Sequence, residues 1–144
     1  MSGNEDRIDL RDTEPTTAAG YGEAEAAAGI DAELPALDIF PNHFQGYVIT
    51  IDNPEYTSIC PKTGLPDFGT VTICYAPDQS CLELKALKLY FLAYRDLGIF
   101  YENAVNRILR DVVAACDPHW VEVEGVFTPR GGLNSTITAR HERD

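Results

Sequence analysis

Apolar residues recur with two different periods along the chain, and these periods predict most of its secondary structure. Four short segments rich in β-branched and aromatic residues are typical of strands: 47–52, 70–75, 120–128 and 135–140. Between the second and third of these, three- and four-residue apolar spacing predicts two helices, one over 82–94 and one from Phe100 to the residues before Asp117-Pro118. The order β-β-α-α-β-β predicts an α+β fold, an antiparallel sheet with two helices on one face.

Proline and glycine mark the breaks between these elements. Asn53-Pro54 is expected to end the first strand, and residues 55–69, with two prolines and two glycines, are expected to form an ordered loop. A four-stranded sheet of this kind has two free edges, which favours oligomerisation through those edges.

Charge divides the chain into two unequal parts. The 144 residues carry a net charge of -12, and residues 1–40 alone hold ten acidic and two basic side chains. About the first 35 residues have almost no large apolar side chains, so this segment can bury too little surface to offset its ordering entropy. We therefore predict a disordered acidic tail over 1–36 and one domain over 37–144, with a short helix over 23–28 as the alternative.

Composition excludes several classes of protein. The acidic balance disfavours nucleic acid as the main partner, because phosphate contacts require a surplus of Lys and Arg. No apolar run approaches the roughly 18 residues of a membrane span, and the polar N-terminus is unlike a signal peptide, so the cytosol is the expected compartment. Four cysteines are too few for a disulfide scaffold, and no His/Cys spacing indicates a metal site.

Cys60 is the candidate nucleophile among the four cysteines. It lies in the loop rich in Pro and Gly, close to Lys62 and seven residues before Asp67. Catalytic groups concentrate on loops held by a rigid scaffold, and a nearby cation favours the reactive thiolate. A half-buried structural cysteine is the alternative for this position, and it is the preferred interpretation for Cys74, Cys81 and Cys116.

Cationic residues form two further candidate sites. Lys85 and Lys88 are two of only three lysines and lie one helical turn apart, which indicates an anion site, although a solvated helix face with Glu83 explains them as well. Arg130-Gly131-Gly132 is a weaker candidate for phosphate contact. Glu102, at the start of the second helix, is either a partner of the helix dipole or an acceptor for the N–H edge of a guanine-like base.

Four motifs occur in the order and spacing of one family. They are SICPKTGLPDFG (58–69), LELKALKLY (82–90), IFYENAVNRIL (99–109) and FTPRGG (127–132). Over about residues 37–137 the chain resembles the short, single-module NADPH-dependent 7-cyano-7-deazaguanine reductases, the nitrile reductases of queuosine biosynthesis. The resemblance implies a tunnelling fold, as in GTP cyclohydrolase I, whose subunits oligomerise into a barrel. It also implies a homo-oligomer, often of two face-to-face pentamers, with active sites between subunits.

The resemblance assigns roles to individual residues. Cys60 matches the nucleophile and Asp67 the proton donor. The substrate contacts that it implies are Leu82, Glu83, Leu84, Tyr101 and Glu102. The basic positions associated with the NADPH phosphates are Lys85, Lys88 and Arg130. Tyr101 departs from the pattern, because many members have His there; a tyrosine can donate a hydrogen bond and stack, but it cannot serve as a cation near neutral pH.

The implied chemistry suits these residue types. The Cys60 thiolate would add to the nitrile carbon of 7-cyano-7-deazaguanine while Asp67 protonates the nitrogen, which gives a covalent thioimide. Two NADPH would then reduce it to the aminomethyl product, and no metal is required.

Three other functions compete with reduction. An amidinotransferase-type relative would form the same thioimide but add ammonia, and the presence of Glu83, Lys85 and Lys88 argues against it. An activity like that of GTP cyclohydrolase needs zinc ligands that the sequence does not offer. A non-catalytic purine-binding protein has no need of Cys60 together with Asp67.

Overall fold

A four-stranded antiparallel sheet is the centre of the computed structural model, which describes residues 22–144. Its strands are ordered β2-β3-β5-β6. They are β2 (Ile49–Ile59), β3 (Pro66–Ala76), β5 (Trp120–Arg130) and β6 (Leu133–Glu142). The two inner strands alternate buried and half-buried residues, as a sheet with one covered face requires.

Two helices cover that face. They are α2 (Leu84–Ala93), which continues into a short 3₁₀ helix (Tyr94–Asp96), and α3 (Tyr101–Cys116). The core lies between them and the sheet, where buried strand residues such as Val71 and Val123 meet buried helix residues such as Leu87 and Ile108. The predicted α+β class and the order β-β-α-α-β-β are therefore confirmed. Within residues 22–144, no helix combines the length and the apolarity needed to cross a membrane.

The first hairpin is longer than predicted. The chain does not leave the sheet at Asn53-Pro54; β2 runs on to Ile59, with a register shift between Asn53 and Tyr56. A proline is tolerated here because β2 is an edge strand, where one side of the backbone has no ladder to complete. Most of the predicted loop over 55–69 is consequently strand, and only residues 60–65 form the connection.

A second, two-stranded sheet was not predicted from the sequence. β1 (Ile39–Pro41) pairs antiparallel with β4 (Ser80–Leu82). Each strand has only three residues, which is too short for an apolar alternation to be recognised.

The N-terminal part of the described chain differs from the disordered tail predicted over 1–36. Residues 1–21 lie outside the described residues, but residues 22–36 lie on the domain, beginning with a short helix, α1 (Glu23–Ala26). α1 lies within the short helix over 23–28 that the sequence offered as the alternative to disorder. Arg107 and Arg110 of α3 donate hydrogen bonds to the backbone carbonyl of Ile30. Although the segment has few large apolar side chains, it is held by hydrogen bonds to its backbone carbonyl groups, which its composition does not indicate.

Candidate active site

The β2–β3 hairpin brings the two predicted catalytic residues together. Ile59 pairs with Pro66 and Ser58 with Asp67, so Cys60 leaves the sheet one residue beyond the last pair. Asp67 follows Cys60 by seven positions because the connection takes up residues 60–65 and Pro66 pairs with Ile59 before Asp67 is reached. Both side chains are nearly inaccessible, with 7% exposure for Cys60 and 4% for Asp67.

The connection surrounds the Cys60 thiol with hydrogen-bond donors. The Cys60 N–H donates to the carbonyl of Leu65, and the Cys60 carbonyl accepts from the N–H of Gly64, both at 2.9 Å. Burial raises the pKa of the Cys60 thiol, but hydrogen bonds from the Thr63 hydroxyl and from the N–H groups of Thr63 and Lys62 outweigh burial. The pKa therefore lies below its ordinary value, which favours the nucleophilic thiolate.

The base of this connection is bound to the segment before α3. The Ile59 N–H donates to the Leu97 carbonyl at 2.9 Å, and the Ile99 N–H donates to the Ile59 carbonyl at 3.0 Å. These bonds form a parallel bridge between Ile59 and Gly98. Two residues after Ile99, the helix α3 begins with Tyr101, so the same short segment positions both Cys60 and Tyr101.

Asp67 is held by one cation and one hydroxyl. Oδ1 of Asp67 lies 3.0 Å from Nη2 of Arg130 and accepts a hydrogen bond of 3.2 Å from the Tyr101 hydroxyl. Arg130 also donates to the carbonyl of Pro66 at 3.1 Å. Burial raises the pKa of Asp67, and it outweighs the lowering by Arg130 and Tyr101. A carboxyl group in this setting keeps its proton to a higher pH than an exposed one, as a general acid requires.

An aromatic platform supports Tyr101. Its ring stacks on Phe127 of β5 with centroids 3.9 Å apart and planes at 9°. Gly125 makes room for the Phe127 ring, because a Cβ atom at position 125 would lie 2.7 Å from Cε2 of Phe127. Sequence analysis missed Phe127; the glycine inside an otherwise alternating strand is the one signal that indicates a close approach there.

The predicted substrate stretch at the start of α2 has a structural explanation of its own. The Glu83 carboxylate accepts hydrogen bonds from the N–H groups of Ala86 and Lys85, at 2.7 and 2.8 Å, and so caps the helix. These bonds lower the pKa of Glu83. Leu82 is buried in the core, whereas Leu84 is exposed. No hydrogen bond or ion pair among residues 22–144 joins this stretch to Cys60 or Asp67 within one chain.

The other predicted site residues lie on the surface. Glu102 is exposed in the first turn of α3, next to Tyr101. Lys85 and Lys88 are exposed on α2, and Lys88 lines a groove of about 250 Å³ between α2 and β2, together with Arg95. One chain therefore assembles Cys60 with its acid but leaves the α2 lysines apart from them.

Comparison with known proteins assigns the chain to a family. A family model described as QueF-like protein matches residues 66–144. The NADPH-dependent 7-cyano-7-deazaguanine reductase of Elusimicrobium minutum is 55% identical over 125 residues, which cover 86% of this chain and 95% of that protein. The reductase of the same name from Chlorobium phaeovibrioides is 55% identical over 107 residues, which cover 73% of this chain and 92% of that protein.

This chain belongs to the family of the NADPH-dependent 7-cyano-7-deazaguanine reductases. The fold agrees with that assignment: the apo archaeosine synthase QueF-Like superposes with a TM-score of 0.61 at 24% identity, over 65% of this chain and 91% of that one. The predicted tunnelling fold of the subunit is thereby confirmed.

The residues of this reductase family member fit a dinucleotide phosphate only in part. Lys85 and Lys88 have no ion-pair partner among residues 22–144 and so remain open to an anion. Arg130, in contrast, already faces Asp67 and the Pro66 carbonyl. The structure therefore connects Arg130 with the acid, where sequence analysis connected it with the cofactor. The described residues contain no cluster of three or more His, Cys, Asp or Glu placed for a metal ion.

Proposed function

We propose that this chain reduces the nitrile group of 7-cyano-7-deazaguanine to the aminomethyl group, with two NADPH, in the queuosine pathway of tRNA modification. Family membership supports the reaction, since relatives more than half identical carry that name. The observation that carries the mechanism is the neighbouring pair of Cys60, a thiol with a lowered pKa, and Asp67, a carboxyl group with a raised pKa.

The pair suits attack on a nitrile. The Cys60 thiolate forms a bond to the nitrile carbon, and the Asp67 proton goes to the nitrogen, which leaves a thioimide and the Asp67 carboxylate. NADPH, when bound, supplies one hydride for each of the two reductions. After the first of these, the C–S bond breaks, the Cys60 thiolate leaves and an imine remains. Reduction and protonation of that imine give the amine.

The two partners of Asp67 assist after the proton has left. Tyr101 and Arg130 both lower the pKa of Asp67, which means that they stabilise its carboxylate. Burial favours the protonated form of Asp67 before the reaction, and the two partners then favour release of that proton in the transition state. Burial thus disfavours the Asp67 carboxylate before the reaction, and the donors Arg130 and Tyr101 stabilise that carboxylate as it forms.

The substrate contacts of the proposal extend beyond one chain. Glu102, next to Tyr101, is proposed to accept hydrogen bonds from the N–H edge of the purine-like ring. Glu83 with its neighbours Leu82 and Leu84 is proposed to contact the substrate from a second subunit, because among residues 22–144 no hydrogen bond or ion pair joins this stretch to Cys60 within one chain. A homo-oligomer with sites between subunits, formed in the cytoplasm, meets this requirement; a decamer is the assembly we propose.

Intact mass of the protein after incubation with the nitrile alone tests the mechanism. We expect an adduct of the full substrate mass in the parent and in Cys74→Ala, a half-buried control, but none in Cys60→Ala. An adduct in Cys60→Ala would refute the nucleophile. Adding NADPH and following its absorbance then tests reduction. An adduct that forms without any NADPH oxidation favours the amidinotransferase-type alternative.

A further inference from the structure

Residues 22–31, here called the strap, lie across the first turns of α3. The side-chain amide of Asn103 donates to the Ala26 carbonyl at 2.6 Å. Arg107 donates from Nη1 to the carbonyl of Gly29 at 3.2 Å and to that of Ile30 at 2.8 Å. The strap is thus held by Asn103, which follows Glu102 directly, and by Arg107, one turn further along the same helix.

Gly29 brings the strap against the segment that anchors the Cys60 connection. Its φ of +81° is a left-handed conformation that side chains disfavour. A Cβ atom at this position would lie 2.6 Å from the Gly98 carbonyl oxygen and 2.7 Å from Cβ of Ile99. Ile99 is fully buried, so it has little room to give way. The contact therefore requires glycine for both its conformation and its space.

The segment beneath Gly29 is the one that joins the two halves of the active site. The Ile99 N–H donates to the carbonyl of Ile59, the residue before Cys60. On its other side, the segment runs into Tyr101, the partner of Asp67. A displacement of residues 98–99 would consequently move the thiol and the hydroxyl that holds the acid.

Arg107 is itself oriented from below. Its Nε donates to Oδ2 of Asp111 at 2.8 Å, and the same oxygen accepts from the Tyr90 hydroxyl at 2.6 Å. Tyr90 is buried in the core between α2 and α3. The guanidinium is therefore fixed before it meets the strap, which makes its hydrogen bonds to the carbonyls specific in direction.

We propose that the strap is a positioning element of the active site, and that Gly29 and Arg107 are the residues through which it holds residues 98–99 beneath Cys60 and Tyr101. This role rests on the proposed function, because its consequence is the rate of nitrile attack and reduction. Neither residue touches the reacting atoms. Both act through the backbone of the segment between the two helices.

Gly29→Ala has a matched control in Gly46→Ala. Gly46 has the same φ of +81°, but a Cβ there would meet nothing within 4 Å. Both variants carry the backbone strain, and only Gly29→Ala pushes on residues 98–99. We expect kcat for NADPH oxidation and the rate of Cys60 adduct formation to fall about tenfold in Gly29→Ala relative to Gly46→Ala, since small misplacements of reacting groups are costly. The Michaelis constant for NADPH should change little.

Labelling of Cys116, which is buried at the end of α3, reports general opening of the fold. We expect the labelling of Cys116 to remain as slow in Gly29→Ala as in Gly46→Ala. Faster labelling that parallels the loss of activity would mean simple destabilisation and overturn the proposal.

A second pair of variants tests the proposal if Gly29→Ala does not fold. Arg107→Lys, which keeps the charge but loses the planar guanidinium, should lose less activity than Arg107→Ala. Rates of adduct formation and of NADPH oxidation that are the same in Gly29→Ala, Arg107→Ala, Arg107→Lys and Gly46→Ala would also overturn the proposal. A parent that neither forms the adduct nor oxidises NADPH would instead refute the proposed function.

Discussion

The Tyr101 hydroxyl donates a hydrogen bond to Oδ1 of Asp67 over 3.2 Å. Stacking on Phe127 fixes the direction of this bond, because the tyrosine ring cannot turn without losing a contact at 3.9 Å. The resemblance seen in the sequence implies histidine at this position in many members of the family. Tyrosine replaces only one property of histidine, the donor, since burial raises the pKa of Tyr101 and keeps it neutral. Proton delivery in this chain is therefore proposed to rest on Asp67.

Tyr101→Phe isolates the hydrogen bond, because it leaves the stacking ring in place. The bond lowers the pKa of Asp67, so its removal should raise that pKa further. A general acid works while protonated, and the alkaline limb of the adduct rate should therefore move to higher pH. The rate at its plateau should fall, since one donor to the developing carboxylate is lost. The measurement is the pH dependence of Cys60 adduct formation; an unmoved alkaline limb would separate Tyr101 from the acid.

Arg130→Gln decides between two roles for this arginine. Because its guanidinium faces Asp67, we expect the alkaline limb to move to higher pH while the Michaelis constant for NADPH stays within about twofold. Arg140→Gln is the matched control, since Arg140 lies in the same sheet with 44% of its side chain exposed, against 43% for Arg130. A large increase in the NADPH constant with an unmoved pH profile would return Arg130 to the cofactor site.

Asp67→Asn should stabilise the fold while abolishing most of the activity. The pKa of Asp67 is raised in the folded state, chiefly by burial, so its favourable contribution is fully present below the unfolded pKa and is lost as the pH rises through the folded value. Above the folded pKa the parent therefore buries a carboxylate at a cost that asparagine avoids. Arg130 is partly exposed, and losing its partner costs little.

Thermal unfolding at two pH values checks this sign. We expect a higher melting temperature for Asp67→Asn than for the parent at pH 7.5, and a smaller difference near pH 4, where the parent's carboxyl group is partly protonated. Asp96→Asn, at an exposed carboxylate, should show no such pattern. Adduct formation should fall by about 10²–10⁴-fold, the usual contribution of a general acid. A melting temperature lowered at pH 7.5 would show that the ion pair outweighs burial.

The sequence predicted the elements whose side chains carry a clear period. The strand alternation and the helical spacing depend on local geometry alone. The residues that show them lie in the core as expected: Val71, Ile73 and Tyr75 on β3, and Ile108 on α3. Cys60 and Asp67 could be paired because a hairpin joins them, even though the extent of its strands was missed. Local sequence was misleading at Pro54, where the position of β2 at the sheet edge overrides the usual effect of proline.

Contacts between distant parts of the chain could not be predicted in this way. The stacking of Tyr101 on Phe127 requires knowing which face of β5 meets the start of α3. Arg130 at the end of β5 meets Asp67 of β3, a contact that the local sequence around either residue does not indicate. The strap is held through its carbonyl groups, which every residue has, so no composition could reveal it. Each of these contacts is tertiary, and each concerns the candidate site.

The lysines of α2 provide the last test, which separates the cofactor from the thiol and the acid. Lys85 and Lys88 lie three residues apart on exposed helix surface, where two ammonium groups can meet a phosphate. We expect Lys85→Ala and Lys88→Ala each to raise the Michaelis constant for NADPH by roughly fivefold, as loss of an exposed charge contact does, and the double variant to raise it most. Adduct formation without NADPH should be unchanged, because in the described part of the chain no hydrogen bond or ion pair links these lysines to Cys60.

Charge and salt make this test specific. Lys85→Arg and Lys88→Arg keep the cation and should retain most of the NADPH affinity. Added salt should weaken NADPH binding more in the parent than in the alanine variants, because it screens a charge contact that the variants no longer have. If the alanine variants lose the adduct but bind NADPH normally, the start of α2 belongs to the nitrile site of a neighbouring subunit instead. That outcome would leave Cys60 and Asp67 in their roles and move only the cofactor.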